Sequence, residues 1–246
     1  MKQKPKNNLK EILKIQNNSD NTADLHIYGD IVSDSFSKWQ DEDKYPMEIK
    51  NFLDEVKGKD LNIYINSGGG SVFAGMAIYN MLKRHDGFKT VHVDALAGSI
   101  SSVIAMSGDK IIIPSNAYFM MHKPLCMVFG NANDMQEYID ILNKLEDGII
   151  NVYMENVKEG IDEKTIRNMV NDKGGSGTWM TGAEASKYFN IEVSEELKAV
   201  AFAGDIFNSY KNKPEIKNAQ EDESEKINLQ RIQSRAKLRL LDLKGV

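Results

Sequence analysis

Along the middle of the chain, apolar residues come in short runs, each closed by a polar or glycine-containing break. Leu25-His26-Ile27-Tyr28 stops at Gly29-Asp30, and Leu61-Asn62-Ile63-Tyr64-Ile65 runs into Asn66-Ser67-Gly68. Val91-His92-Val93, Lys110-Ile111-Ile112-Ile113 and Tyr118-Phe119-Met120-Met121 have the same character, and all five read as strands. Between them the spacing becomes helical. Pro46–Val56 carries Met47, Ile49, Phe52, Leu53 and Val56, Val72–Arg84 is a second such stretch, and Ser102–Ser107 is a short third. Ala132–Asn156 is the long one, with Met135, Ile139, Leu142, Ile149 and Tyr153 on one face. Thr181 with Glu184 three residues on has the form of a capping box, so a last short helix is expected over Thr181–Tyr188. Strands alternating with helices predict an α/β fold with largely parallel pairing.

The two ends differ from this body. Residues 1–23 are polar with five lysines, and the alternating pattern fills 24–206. In 207–246 an acidic patch (Glu215, Glu221, Asp222, Glu223, Glu225) precedes a basic stretch (Lys226, Arg231, Arg235, Lys237, Arg239, Lys244). Leu229, Ile232, Ala236, Leu240 and Leu243 recur there at three- and four-residue spacing, an amphipathic helix pattern. A solvated tail with a transient helix and a segment that docks a partner both fit that pattern.

Composition narrows the function classes. At 246 residues the chain can bury a sizeable core without a metal or disulfide. A net charge of −5 argues against a dedicated nucleic-acid binder, which needs a broad basic face. One cysteine, Cys126, excludes an internal disulfide framework and a multi-Cys zinc site. No run of eighteen apolar residues is present, and the lysine-rich start lacks the apolar stretch of a secretory signal. A soluble, cytoplasmic protein without a membrane partner is expected.

Three segments could carry chemistry. Gly68-Gly69-Gly70 follows a strand and opens a helix, where glycine admits positive φ and free N–H groups can meet a developing negative charge. It is neither a P-loop nor a dinucleotide fingerprint. Ala97-Gly98-Ser99-Ile100-Ser101-Ser102-Val103 puts serines at the start of an apolar helix, where a nucleophile can sit beside a backbone N–H. Three serines in four positions leave the choice among Ser99, Ser101 and Ser102 open. His122 closes the last strand, twenty residues after Ser102. His26, His85 and His92 lack the spacing of a metal site, and no metal or cofactor is expected.

The order of these segments resembles the Clp proteolytic subunit (ClpP) family of serine peptidases, most closely its prophage and phage head-maturation versions. The resemblance is carried by Ile65–Val72 with Ala74–Tyr79, by Gly98–Asp109, by Met121-His122-Lys123-Pro124 and by Trp179–Ala185, and it covers 24–196. It implies a spiral of β-β-α units of the ClpP/crotonase type, with Ala132–Asn156 as a protruding handle helix. Laid on the family pattern, Ser102 is the nucleophile, His122 the general base, and the N–H groups of Gly69 and Val103 the oxyanion hole. Gly70 and Ser71 then continue the strip along which an extended substrate pairs. With Ser102 in that role, Cys126 is read as a small buried or half-buried thiol.

Two positions depart from the family. Gly68 stands where a proline is usual, and Gly177 where the family places its acid, two residues before Trp179. Asp172, at the head of a glycine-rich loop, is the candidate replacement. The resemblance implies a serine endopeptidase, ATP-independent or of phage type, cutting capsid, portal or scaffold proteins in the bacterial cytoplasm or the assembling prohead. It also implies homo-oligomeric rings that can stack. Two rivals follow from the same features: a degenerate, structural relative, and an acyl-CoA enzyme of crotonase type.

Overall fold

The computed structural model describes residues 21–194. The amphipathic pattern of 229–243 and nearly all of the lysine-rich start therefore lie outside the described residues.

The chain forms β1 (Thr22–Ile31), α1 (Pro46–Glu55), β2 (Asp60–Gly70), α2 (Val72–Lys83), β3 (Lys89–Gly98), α3 (Ile100–Ala105), β4 (Lys110–Pro114) and β5 (Tyr118–Met121). There follow the long α4 (Ala132–Met154), then α5 (Glu163–Gly175), β6 (Thr178–Thr181), α6 (Gly182–Ala185) and β7 (Glu192–Ser194). A single sheet runs β1-β2-β3-β4-β7, all neighbours parallel. This is the mixed α/β architecture that the alternation of strands and helices predicts, and it is consistent with a Clp-protease fold.

Residues alternate across the sheet. Leu25, Ile27, Leu61, Ile63, Ile65, Val91, Val93, Ile111 and Ile113 are buried in one core with Ile49, Phe52, Ile78, Leu82 and Ile104 from the helices. Each such side chain contributes roughly 1.5–3 kcal/mol by leaving water. The alternate positions His26, Tyr64, His92 and Ile112 are in register across four strands. The rings of His26 and His92 stack on the two sides of Tyr64, with centroids 4.8 and 5.1 Å away. His85 is tied down separately, its Nε2 lying 2.7 Å from the Lys59 carbonyl.

β3 divides between two neighbours. Thr90–His92 pair with β4, and Leu96–Gly98 pair in parallel with Tyr118–Met120 of β5. β6 extends that branch, antiparallel to β5. The fork carries the end of β3 to its last paired residue, Gly98, so the next helix starts at Ile100 rather than at Ser102. Gly75 lets α2 close on that helix, since a Cβ there would lie 2.2 Å from Ile100 Cγ1.

Three elements escape the apolar pattern: α5, β6 and β7. α5 is capped by Asp162, whose side chain accepts from Thr165 N–H. Its backbone leaves helical geometry at Asp172, Lys173 and Gly174. Among the described residues no helix is long and apolar enough to cross a membrane.

Candidate active site

Strand pairing assembles the site. Gly98 stands opposite Met120 in the parallel β3–β5 ladder, and Ser99 N–H continues that contact by donating to Met120 O at 2.9 Å. Both chains then leave the sheet at the same level, Ser99 from β3 and His122 from β5. Ser99 Oγ lies 2.9 Å from His122 Nε2. On the other side of β3, Ser67 pairs with Ala97, which brings Gly69 level with Ser99. A Cβ at Gly69 would lie 2.7 Å from both Gly98 O and Ser99 Cβ, so only glycine permits this approach.

Ser99 is at φ +54°, ψ −129°, a conformation that non-glycine residues rarely hold. The strand-to-helix turn imposes it and turns the hydroxyl out of the sheet, in the manner of a nucleophile elbow. His122 is held below its ordinary pKa by burial. The neutral ring can therefore offer an unprotonated Nε2 to the Ser99 hydroxyl. Val72, Ile100, Val103, Pro124, Ile149 and Tyr153 line a small cavity that opens on this pair.

The expected nucleophile, Ser102, is not in contact with His122. It is fully buried one turn inside α3, where its hydroxyl donates to Ser99 O at 2.5 Å and meets Tyr153 Oη at 2.7 Å. A count of small residues forward from Gly98 leads to Ser102, three positions past the serine that meets His122. Where the strand ends decides the matter, and it ends at Gly98. Ser101 is also buried, its hydroxyl 2.7 Å from Ser67 O and 2.8 Å from Gly98 O. Only Ser99 faces the histidine.

The expected oxyanion donors are Gly69 and Val103. Val103 contributes its side chain to the cavity, but an N–H at that depth in a helix is aimed at a carbonyl four residues back. Gly69 stands beside the elbow as expected, yet its N–H donates to Ser67 Oγ at 3.1 Å. The amide next to Ser99 is that of Ile100, first residue of α3, where the helix supplies no partner. Gly70 pairs with Ile31 in the β1–β2 ladder, and Ser71 caps α2 through Ala74 N–H.

Asp172 is exposed at the frayed end of α5 and lines a depression with Thr165, Asn168, Met169, Thr178 and Tyr188, away from the Ser99–His122 cavity. Its carbonyl, not its carboxylate, is engaged, accepting Gly177 N–H at 3.0 Å. Gly177 itself lies against His122. A Cβ there would sit 2.0 Å from Met121 O and 2.5 Å from His122 Cβ, so this backbone has no room for the acid of the family pattern. The nearest ion cluster lies one residue past the histidine. Lys123 Nζ is 2.9 Å from the buried Glu146 of α4, which Asn171 and Arg167 of α5 also approach. Cys126 is exposed, not the buried or half-buried thiol expected, because the segment after Pro124 runs outside regular structure.

Comparison with known proteins gives a consistent picture. A family profile described as Clp protease matches residues 42–192. The ATP-dependent Clp protease proteolytic subunit of Bacteroides fragilis is 30% identical over 145 residues, which cover 57% of this chain and 67% of the relative. That of Deinococcus radiodurans is 30% identical over 137 residues, or 54% and 64% of the two chains. Proteolytic subunit 2 of Tropheryma whipplei is 31% identical over 133 residues, or 53% and 70%. The matched segment thus spans about two thirds of these relatives' length.

Proposed function

The chain belongs to the Clp protease family, and on that premise we propose that it is a serine endopeptidase with Ser99 as nucleophile and His122 as general base. The supporting observation is the 2.9 Å contact between Ser99 Oγ and His122 Nε2 at the paired ends of β3 and β5. Ser99 Oγ attacks the scissile carbonyl while Nε2 takes its proton. The oxyanion meets Ile100 N–H, the amine leaves with the proton from Nε2, and water then hydrolyses the acyl-serine by the same steps. An extended polypeptide lies along the exposed Gly70 backbone.

Family members are usually ring oligomers, and α4 supports the same arrangement here. Its first half is exposed and carries the apolar Met135 and Ile139. The setting we favour is phage head maturation, with capsid, portal or scaffold protein as substrate. It rests on the four ordered sequence motifs that resemble the prophage enzymes.

Labelling with a fluorophosphonate probe and peptide mapping tests the assignment. The adduct is expected on Ser99, lost in Ser99→Ala and retained in Ser102→Ala. No adduct on the assembled wild-type protein would overturn the enzyme reading. That outcome would instead support the degenerate, structural one that Gly177 suggests.

A further inference from the structure

Ser102 and Tyr153 are buried polar groups that take no part in the chemistry just described, and together they reach its most strained residue. Ser102 has one hydroxyl proton and a carbonyl 2.5 Å away at Ser99, which can only accept. The Ser102 proton therefore goes to Ser99 O, and the Tyr153 hydroxyl, 2.7 Å from Ser102 Oγ, is the donor to Ser102. Ser99 O accepts a second bond from Ser102 N–H at 3.0 Å. The result is a short chain of bonds, Tyr153 to Ser102 to the Ser99 carbonyl, in a site shielded from water. Such chains strengthen one another.

The peptide between Ser99 and Ile100 is trans, so its C=O and N–H point in opposite directions. Pinning the carbonyl inward, toward α4, turns Ile100 N–H outward, over the cavity that Ser99 faces. From this geometry we infer that Tyr153 and Ser102 are positioning residues, which fix the Ile100 amide as oxyanion donor and hold Ser99 in its left-handed conformation. The inference rests on Ser99 as nucleophile. It adds a buried anchor on α4 to a site otherwise built from strand ends. Neither residue touches substrate through its hydroxyl.

Peptidase kinetics on the full-length assembled protein test it. Tyr153→Phe removes one hydroxyl and keeps the ring among Phe119 and Phe189. Ser102→Ala removes the other, and Ser102→Thr restores it. In Ser102→Ala, kcat should fall about ten- to a hundredfold at constant KM, as expected for a misaimed oxyanion donor. Affinity for a peptide boronate, which mimics the tetrahedral adduct, should fall in parallel, while affinity for the cleaved product peptide stays the same. Tyr153→Phe should show the same split, smaller, and the double variant should be no worse than Ser102→Ala. Ser102→Thr should recover most of kcat.

Unchanged kcat in Ser102→Ala, or a loss confined to KM, overturns the proposal. So does an equal loss in boronate and product affinity. Failure of the nucleophile assignment would look different: Ser99→Ala would keep its fluorophosphonate adduct while Ser102→Ala lost it.

Discussion

Burial keeps the His122 imidazole below its ordinary pKa, with desolvation as the cause. In the proposed mechanism the neutral ring is the base, and the protonated ring cannot accept from Ser99. Activity is therefore present above the lowered pKa and lost as pH falls through it. The kcat/KM of peptide cleavage should fall about tenfold per pH unit on the acid side, with a midpoint below roughly 6.5, the value for free histidine. A midpoint at or above that value contradicts the burial account. His122 was singled out by the resemblance, through Met121-His122-Lys123-Pro124, since a histidine at a strand end does not by itself mark a base. Ser99 was not, because Gly98-Ser99-Ile100-Ser101-Ser102 holds three serines and local spacing ranks none of them first. The β3–β5 ladder separates them by carrying the strand as far as Gly98. The position of Asp172 was hidden for a related reason. Its loop does approach His122, but through Gly177 and not through the carboxylate.

The same loop is where element geometry bears on the site. Lys173, Gly174, Gly175 and Gly177 all have positive φ, and Gly177 abuts the end of β5. Gly177→Ala should destabilise the protein by about 2 kcal/mol or more, since strain at φ +79° adds to a backbone clash 2.0 Å away. Gly174→Ala, where a Cβ meets nothing within 4 Å, should cost about 1 kcal/mol. Urea unfolding of the two variants checks this, and equal losses would show that the contact with Met121 is irrelevant. Strands β1 to β5 and the helices α1, α2 and α4 could be read from apolar periodicity. β6 could not. Thr178-Trp179-Met180-Thr181 is short, and it is held by pairing with β5. α5 did carry a signal in Asp162 and Thr165 ahead of Ile166, Met169 and Val170, a capped start before a helical stripe.

At the scale of the molecule, the largest exposed apolar side chains in and before α4 line up with the handle reading. Leu125, Met127 and Phe129 are at least three-quarters exposed, and Met135 and Ile139 about half. A protomer seldom leaves so much apolar surface in water unless a partner covers it. Phe129→Asp with Ile139→Asp should change protomer stability by only about 0.5 kcal/mol per site, as for other exposed positions. It should also shift sedimentation toward smaller species. Unaltered assembly size would remove α4 and its leading segment from the contact. The forked strand has a consequence of another kind. Ser99 and His122 are aligned by counting pairs along a ladder, not by the length of chain between them. The turns joining α3 to β4 and β4 to β5 can therefore gain or lose residues over evolutionary time without moving Ser99 from His122. One residue added inside 118–121 would turn His122 to the opposite face. The tolerance of this serine–histidine pair to insertion is written in the register, and a motif search that measures distances in sequence does not see it.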